Sequence, residues 1–490
     1  MDIHVIKVNE AYLQVNCDNS IAQELYDFFS FTAPNAGWLM KKRRGWDGKI
    51  HLFQRAHRLM YYGLYEYLKL FAANNNYVIK FDDDVITTNN VSIEDISVIL
   101  KELQLPFPPR DYQAYSVYRA LKHKRNLIIS PTGSGKSLVY YILARHLIDQ
   151  GMKGILVVPT INLCNQMISD FKEYSENNGW EPEDYIHKVY YGQDKVTEKP
   201  LVIGTWQSLS LQDTEYFKDV DFIFIDECHL ATAKSLKYIL ESCRNTHIRL
   251  GMTGTLDGTL THKTVLEGLF GPMKKVISTK ALMDRKDLAQ LNPIRCMKLE
   301  YSDADRRMGY KMKYQDEVDW LISHEKRNKF IINLGLSLPG NTLILYQFVE
   351  KHGLELFEIL KEKRTNSTEI FLVHGLIKPE DREKIRQAIN VSKKSLTVAS
   401  SGTFAVGVNI PNLNNIIFAS PSKSKIRILQ SIGRGLRKSK TKTEITLYDI
   451  FDDLSHNKMN NRTLDHFLHR IDIYDKEKFE YKVFPIQIKE

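Results

Sequence analysis

Ser130-Pro131-Thr132-Gly133-Ser134-Gly135-Lys136-Ser137 follows the apolar run Leu127-Ile128-Ile129 and leads into Leu138-Val139-Tyr140-Tyr141-Ile142-Leu143-Ala144. A short strand, a glycine-rich turn and a helix N-terminus in that order make a phosphate cradle, because backbone N–H groups and the positive end of the helix dipole converge there. Gly133 and Gly135 let the backbone of Thr132 to Ser134 approach phosphate oxygens with no Cβ in the way. Lys136 supplies a point charge for the β- and γ-phosphates, and the Ser137 hydroxyl suits Mg²⁺. Ser130 stands where the usual pattern has glycine, so the match rests on Gly-Lys-Ser and its flanks. A chance glycine-rich turn is the bland alternative. The strand before the loop and the helix after it favour a bound nucleotide.

From residue 126 to about 280, short apolar runs alternate with helix-length segments. Strands are expected at 127–130, 154–159, 200–204, 222–226 and 248–253. Such alternation reads as a parallel sheet with helices on both faces, whose functional groups gather at the carboxyl ends of the strands. Phe222-Ile223-Phe224-Ile225-Asp226-Glu227-Cys228-His229 is an apolar strand ending in two acids. Asp226 is placed to hold Mg²⁺ and Glu227 to polarise an attacking water. His229 either couples this site to other groups or is a satisfied polar residue. Thr253-Gly254-Thr255 ends the next strand with two small hydroxyls. A second alternating region, with strands expected at 341–346, 370–373, 396–400, 416–419 and 444–448, contains no second Gly-Lys-Ser. It does contain Gln430-Ser431-Ile432-Gly433-Arg434-Gly435-Leu436-Arg437, in which two arginines three apart are expected on one side of a helix.

With Asp-Glu-Cys-His at 226–229, Thr-Gly-Thr at 253–255 and the segment 430–437, residues 105–449 resemble the superfamily 2 helicases. The resemblance implies an α/β fold of two tandem RecA-like parallel-sheet domains, with ATP and Mg²⁺ as cofactors. Carried over residue by residue, it assigns Arg110 and Gln113 to adenine, and Thr132, Gly133, Ser134, Gly135, Lys136, Ser137 and Gly407 to the nucleotide. It makes Lys136, Asp226, Glu227, Arg434 and Arg437 catalytic, the arginines as fingers reaching the γ-phosphate. Pro159, Thr160, Thr205, Gln207, His374 and Thr403 would hold the nucleic-acid backbone without selecting bases. His229, Thr253, Thr255 and Gln430 would couple the two sites. Asn409, in the stretch 403–411, stands where the family commonly has aspartate.

The first ~100 residues read as a small separate α/β (α+β) domain. Strands are expected at 3–8 and 11–15, a helix capped by Ser20 at 21–31, and another over the aromatic stretch 61–68. Between them stand Lys41, Lys42, Arg43 and Arg44, near Trp38 and Trp46, with the turn dipeptide Asp47-Gly48 after them. Basic residues among aromatics suit phosphate contact and base stacking; a solvated basic face is the plainer reading. A helix from 92 to 103 leads to Leu105-Pro106-Phe107-Pro108-Pro109, a stiff boundary. The expected divisions are 1–104, 105–290, 291–450 and a tail of 451–490 with a helix near 460–471 and a strand near 479–484.

A 490-residue chain with 43% hydrophobic and 26% charged residues is ordinary for a globular protein of about three domains. Five scattered cysteines without a C-x-x-C pair argue against a zinc site or disulfide framework. Without a signal-like start or an apolar run of about 20 residues, a cytoplasmic location and no membrane partner are expected. Asp-Glu-Cys-His sets the chain apart from the D-E-A-D RNA helicases and closer to the DNA-repair and restriction-translocase branch. That branch implies a monomer that unwinds or branch-migrates branched DNA and RNA–DNA hybrids such as R-loops, D-loops and four-way junctions. Recombination or single-strand-binding proteins are the implied partners. The alternatives are an RNA helicase, a duplex translocase that separates no strands, or a non-enzymatic nucleic-acid binder with an inactive ATPase.

Overall fold

The computed structural model describes residues 2–488 apart from 34–35, 38–39, 41–44, 87, 177, 191–195, 365–367, 408–409, 411, 422 and 439–441. Two compact units emerge, Met1–Ser130 with Gly135–Val276, and Pro131–Ser134 with Ile277–Glu490.

The first unit opens with a mixed sheet in the order Phe53–Gln54, Leu59–Tyr61, Tyr12–Asn16, Ile3–Lys7, Ile79–Phe81. Ile3–Lys7 runs antiparallel to Tyr12–Asn16 and parallel to Ile79–Phe81. The first helix, Asn19–Phe28, is capped by Asp18 rather than Ser20: the Asp18 carboxylate accepts from the Ile21 N–H, and Ser20 Oγ donates to it at 2.8 Å. Asp47-Gly48 does not form a two-residue hairpin, since Lys49–His51 pairs with Ser30–Thr32 across a connection of residues 33–48. Trp38 and Lys41 to Arg44 lie outside the described residues. The aromatic stretch expected as one helix is divided between the strand Leu59–Tyr61, a 3₁₀ turn Tyr62–Leu64 and the helix Tyr65–Asn74.

The large sheet that follows has the order Ile186–Val189, Leu201–Thr205, Gly154–Val158, Phe222–Asp226, Ile248–Thr253, Arg125–Ile129, Met273–Lys275, all parallel. The five expected strands form its middle. The two outermost are short and carry His187, Lys188, Lys274 and Lys275, so they show no continuous apolar run. Side chains alternate between the faces. Leu127, Ile155, Val157, Ile223 and Ile225 enter one core, which continues into the N-terminal sheet; Ile128, Leu156, Val158, Phe224 and Leu250 enter the other. The helix Lys136–Asp149 is buried nearly all round in that second core.

The N-terminal region is fastened to the large sheet by buried polar groups as well as by the shared core. Glu10 and Arg125, both buried, form a 2.5 Å ion pair, and Lys7 meets the other Glu10 oxygen at 2.5 Å. Glu10 N–H donates to Arg244 O at 2.8 Å, and the Arg125 guanidinium lies 3.9 Å from the Tyr62 ring centroid. Tyr61 and Tyr67 donate to Glu241 and Glu267 at 2.6 and 2.5 Å. Only glycine fits at position 63, where a Cβ would stand 2.0 Å from Glu267 O.

The second unit is another parallel sheet, ordered Glu369–Val373, Ser395–Ser400, Thr342–Tyr346, Asn415–Phe418, Glu444–Asp453, Ile294–Glu300, Tyr481–Gln487, with Gln290–Leu291 added alongside Glu444–Asp453. The five expected strands are present, and Ile294–Glu300 and the tail strand extend the sheet. The position expected to divide 450 from 451 therefore falls inside a strand, and 290 and 291 lie together in another. The tail helix Arg462–Glu477 is held to the sheet by buried Arg470, which bonds Asp449 at 2.8 Å, and by Tyr474, which donates to the same carboxylate oxygen at 2.8 Å. The fold is thus two parallel-sheet α/β halves in tandem behind a small N-terminal α/β region. Among the described residues no helix is long and apolar enough to cross a membrane.

Removing Arg125 while leaving Glu10 buried should cost about 3–5 kcal/mol, read in urea denaturation of Arg125→Met. Burial raises the Glu10 pKa, but Arg125 and Lys7 outweigh it and hold it below its ordinary 4.5. The stabilisation from Glu10 is therefore complete above about pH 4.5 and is lost as pH falls through the lowered folded value. Glu10→Gln should flatten that acid limb.

Candidate nucleotide and nucleic-acid site

The loop between Arg125–Ile129 and Lys136–Asp149 takes the conformation its glycines allow. Gly133 and Gly135 have φ of +83° and +77°, where a side chain would be strained. Ser134 N–H donates to Pro131 O at 3.2 Å, closing the turn, and Lys136 Nζ lies 3.4 Å from Ser130 O. The helix starts at Lys136, after Gly135 as its N-cap, with no acidic side chain in its first turn, which leaves its positive end to an anion. Gln113 is buried and ties the preceding helix to this loop: Oε1 accepts from Arg110 N–H at 2.8 Å and Nε2 donates to Gly135 O at 3.4 Å.

At the tip of the central strand, Asp226 Oδ1 is buried with no hydrogen-bond partner among the described residues. Burial, then the adjacent Glu227 carboxylate, raise the Asp226 pKa, while Lys136 and His229 lower it. A carboxylate oxygen in that state, close to a lysine and a phosphate loop, fits a hard divalent cation. Ser137, the hydroxyl expected for the same ion, has its Oγ 2.8 Å from Tyr174 Oη.

Glu227 adopts the left-handed conformation, φ +50° and ψ +46°. Two groups meet at its side chain. Thr253 Oγ1 is 3.2 Å from Glu227 Oε2 and 2.9 Å from His229 Nδ1, and His229 Nδ1 is itself 3.2 Å from that carboxylate oxygen. His229 and Thr253 are both buried. Thr255 joins through its backbone, its carbonyl lying 3.1 Å from Thr253 Oγ1, while its own hydroxyl is buried without a partner among the described residues. The expected coupling residues of this unit therefore gather on the expected water-polarising acid.

A second cluster occupies the ends of two adjacent strands, Gly154–Val158 and Leu201–Thr205. Thr160 caps the helix Ile161–Tyr174. Trp206 Nε1 and Gln207 Nε2 both donate to Pro159 O, at 3.2 and 3.5 Å, and Thr205 Oγ1 donates to Ser208 Oγ at 3.2 Å. Small polar groups at one sheet edge suit a phosphate backbone.

In the second unit, His374 and Thr403 follow the neighbouring strands Glu369–Val373 and Ser395–Ser400. His374 Nδ1 is buried without a partner among the described residues, and Thr403 Oγ1 accepts from Ser400 Oγ at 2.7 Å. Gly407 ends the helix Ser401–Gly407, and Asn409 lies outside the described residues. Gln430 and Arg434 are buried on one face of Lys425–Gly435. Arg437 is not on that helix, which ends at Gly435, so the two arginines do not share a helical face.

Three contributors were not apparent in the sequence. Tyr174 meets Ser137, buried Tyr140 donates to Ile225 O at 3.0 Å, and His262 Nε2 lies 2.8 Å from His229 O. No local pattern marks them, since each partner is distant in the chain.

Two tandem parallel sheets, the first with a phosphate loop after its strand Arg125–Ile129, are the architecture of an ATP-dependent helicase. Family descriptions match in order: "DNA helicase UvsW, N-terminal" at residues 2–82, "Type III restriction enzyme, res subunit" at 106–258 and "Helicase conserved C-terminal domain" at 326–439. The ATP-dependent DNA helicase uvsW of Enterobacteria phage T4 is 31% identical over 98% of this chain and 99% of its own length. A crystal structure of T4 UvsW superposes over both entire chains with a TM-score of 0.52 at 29% identity. The chain belongs to the UvsW family of ATP-dependent DNA helicases. The ATP-dependent DNA helicase RecG of Pasteurella multocida is more distant, 25% identical over 68% of this chain and 47% of its own.

Thr253→Val should destabilise the protein by about 1–3 kcal/mol, because it leaves buried polar neighbours short of a partner. Thr253→Ser should recover most of that loss in chemical denaturation.

Proposed function

We propose that this helicase uses ATP hydrolysis to unwind or branch-migrate branched DNA and RNA–DNA hybrids, including R-loops, D-loops and four-way junctions. The observation that carries this reading is the end-to-end match with a DNA helicase, which takes in the N-terminal region bearing Lys41 to Arg44.

Lys136, with the backbone of Thr132 to Gly135, holds the β- and γ-phosphates, and Arg110 and Gln113 hold adenine. Ser137 and Asp226 hold Mg²⁺, which as a Lewis acid offsets phosphate charge. Glu227 accepts a proton from, or orients, the attacking water; the contacts from Thr253 and His229 support that role by fixing its carboxylate. Arg434 and Arg437 we assign to charge stabilisation at the γ-phosphate, a service worth about 10³–10⁵ in rate where arginine fingers have been measured. Pro159, Thr160, Thr205, Gln207, His374 and Thr403 grip the backbone, Gly407 contacts the nucleotide, and His229, Thr253, Thr255 and Gln430 couple the two sites. The N-terminal basic stretch adds sequence-neutral affinity for a duplex or junction. The enzyme works as a cytoplasmic monomer alongside recombination or single-strand-binding proteins.

Strand displacement and ATPase stimulation compared across forked DNA, R-loop, four-way-junction, single-stranded and RNA-duplex substrates test the reading. Preference for branched DNA and hybrids is expected. RNA-duplex unwinding alone would reassign it as an RNA helicase, and stimulation without displacement as a translocase. Lys136→Ala should abolish hydrolysis while most nucleic-acid binding persists, and normal turnover in that variant would refute the assignment. Neutralising Lys41, Lys42, Arg43 and Arg44 should weaken junction binding and flatten its dependence on salt; an unchanged slope removes this stretch from the binding surface.

A further inference from the structure

We propose that Tyr174 is a positioning residue: it aims the Ser137 hydroxyl and joins it mechanically to the helix that carries the Thr160 backbone grip. The inference rests on the assignments of Ser137 to the cation and Thr160 to nucleic acid made above.

Ser137 Oγ and Tyr174 Oη are 2.8 Å apart. Tyr174 is the last residue of the helix Ile161–Tyr174, and Thr160 is its N-cap, with Oγ1 accepting from Leu163 N–H at 3.3 Å. Fourteen residues at 1.5 Å each give a rod of about 21 Å, with one candidate site at either end. The rod is seated firmly. Cys164, Met167, Ile168 and Phe171 are buried, and Cys164 Sγ lies 3.5 Å from Ile203 O in the strand that ends at Thr205. At the other end the Tyr174 ring meets Tyr141 and Phe107 edge-on, with centroids 5.6 and 5.8 Å away. Tyr141 lies one turn beyond Ser137 on the same helix, so ring packing fixes where the phenol oxygen sits.

The chemistry of two hydroxyls gives this contact a direction. Serine and neutral tyrosine each carry one donor and spare lone pairs, so either can donate to the other. When Ser137 turns a lone pair toward a divalent cation, its proton needs an acceptor, and Tyr174 Oη is within reach. The hydrogen bond then runs from serine to tyrosine and holds the serine in the ligating rotamer. A shift of the rod driven by nucleic acid at Thr160 would change how well Tyr174 serves that purpose. Linkage makes the effect reciprocal: nucleic acid and Mg²⁺-nucleotide alter each other's affinity by one common factor.

Equilibrium binding of a fluorescent non-hydrolysable ATP analogue, titrated with Mg²⁺ with and without single-stranded DNA, tests this without turnover. Tyr174→Phe keeps the ring and removes only the hydroxyl. It should raise the Mg²⁺ midpoint about three- to tenfold, the scale of one hydrogen bond, and bring the DNA-dependent change in nucleotide affinity toward one. An unchanged Mg²⁺ midpoint and DNA factor in Tyr174→Phe would overturn the proposal, as would a lowered melting temperature with an unchanged midpoint, which marks a purely structural phenol. Ser137→Ala separates the two levels of the argument. If it alters the Mg²⁺ dependence and Tyr174→Phe does not, only the role of Tyr174 fails; if Ser137→Ala also leaves it unaltered, the assignment of Ser137 fails first.

Discussion

A carboxylate oxygen of Asp226, sealed from solvent at the tip of the central strand and without a hydrogen-bond partner among the described residues, is the constraint on which the edge of the first sheet turns. Leaving such an atom unpaired is costly in a protein interior, and it persists where something else satisfies it. The parallel sheet supplies the surroundings. Because all seven strands run the same way, every carboxyl end lies on one edge, and the residues that leave those ends have no choice but to gather there. Phe222–Asp226 has Gly154–Val158 on one side and Ile248–Thr253 on the other, with Arg125–Ile129 beyond the latter. Acid, hydroxyl and phosphate loop are therefore delivered by three successive strands, and Pro159 and Thr160 by the fourth.

The N-terminal region is part of this arrangement rather than an appendage to it. Its core is continuous with one face of the large sheet, and Glu10 reaches Arg125 at the start of the strand that leads to the phosphate loop. Buried ion pairs often add little net stability, but they penalise every docking in which the partners fail to meet. The close approach of Gly63 to Glu267 O applies the same restriction through sterics. The N-terminal region is thereby held in a fixed relation to the strand Arg125–Ile129 that leads to the phosphate loop.

How much of this could be read in the chain depended on whether the signal was local. The middle strands of both sheets are runs of apolar residues buried on both faces, and they announce themselves. Ile186–Val189 and Met273–Lys275 lie at the edges, carry charge and were not seen. The phosphate loop was legible because strand, glycines and lysine are contiguous. The Ser137–Tyr174 contact was not, since it is set by how two helices cross. Arg434 and Arg437 were expected on one helix, but glycines at 433 and 435 weaken it and it stops at Gly435, two residues short. The cap at Asp18 shows the same limit on a smaller scale, as both Asp18 and Ser20 are competent caps and the backbone decides between them.

The adjacent acids Asp226 and Glu227 raise a geometric problem whose solution is visible in the backbone. Successive side chains on a strand point to opposite faces, so an extended Glu227 would direct its carboxylate away from the edge that Asp226 occupies. The chain instead leaves the strand at Asp226 and places Glu227 in the left-handed region at φ +50°. That conformation costs a non-glycine residue about 1–2 kcal/mol, and it is offset locally. The turn brings the carboxylate within 3.2 Å of both Thr253 Oγ1 and His229 Nδ1, groups that a strand conformation would leave without this partner. Glycine would relieve the backbone here but would remove the carboxylate, and aspartate would shorten its reach by a methylene. The position therefore selects a long acid in a strained turn, a combination better explained by what the carboxylate must face than by the stability of the loop.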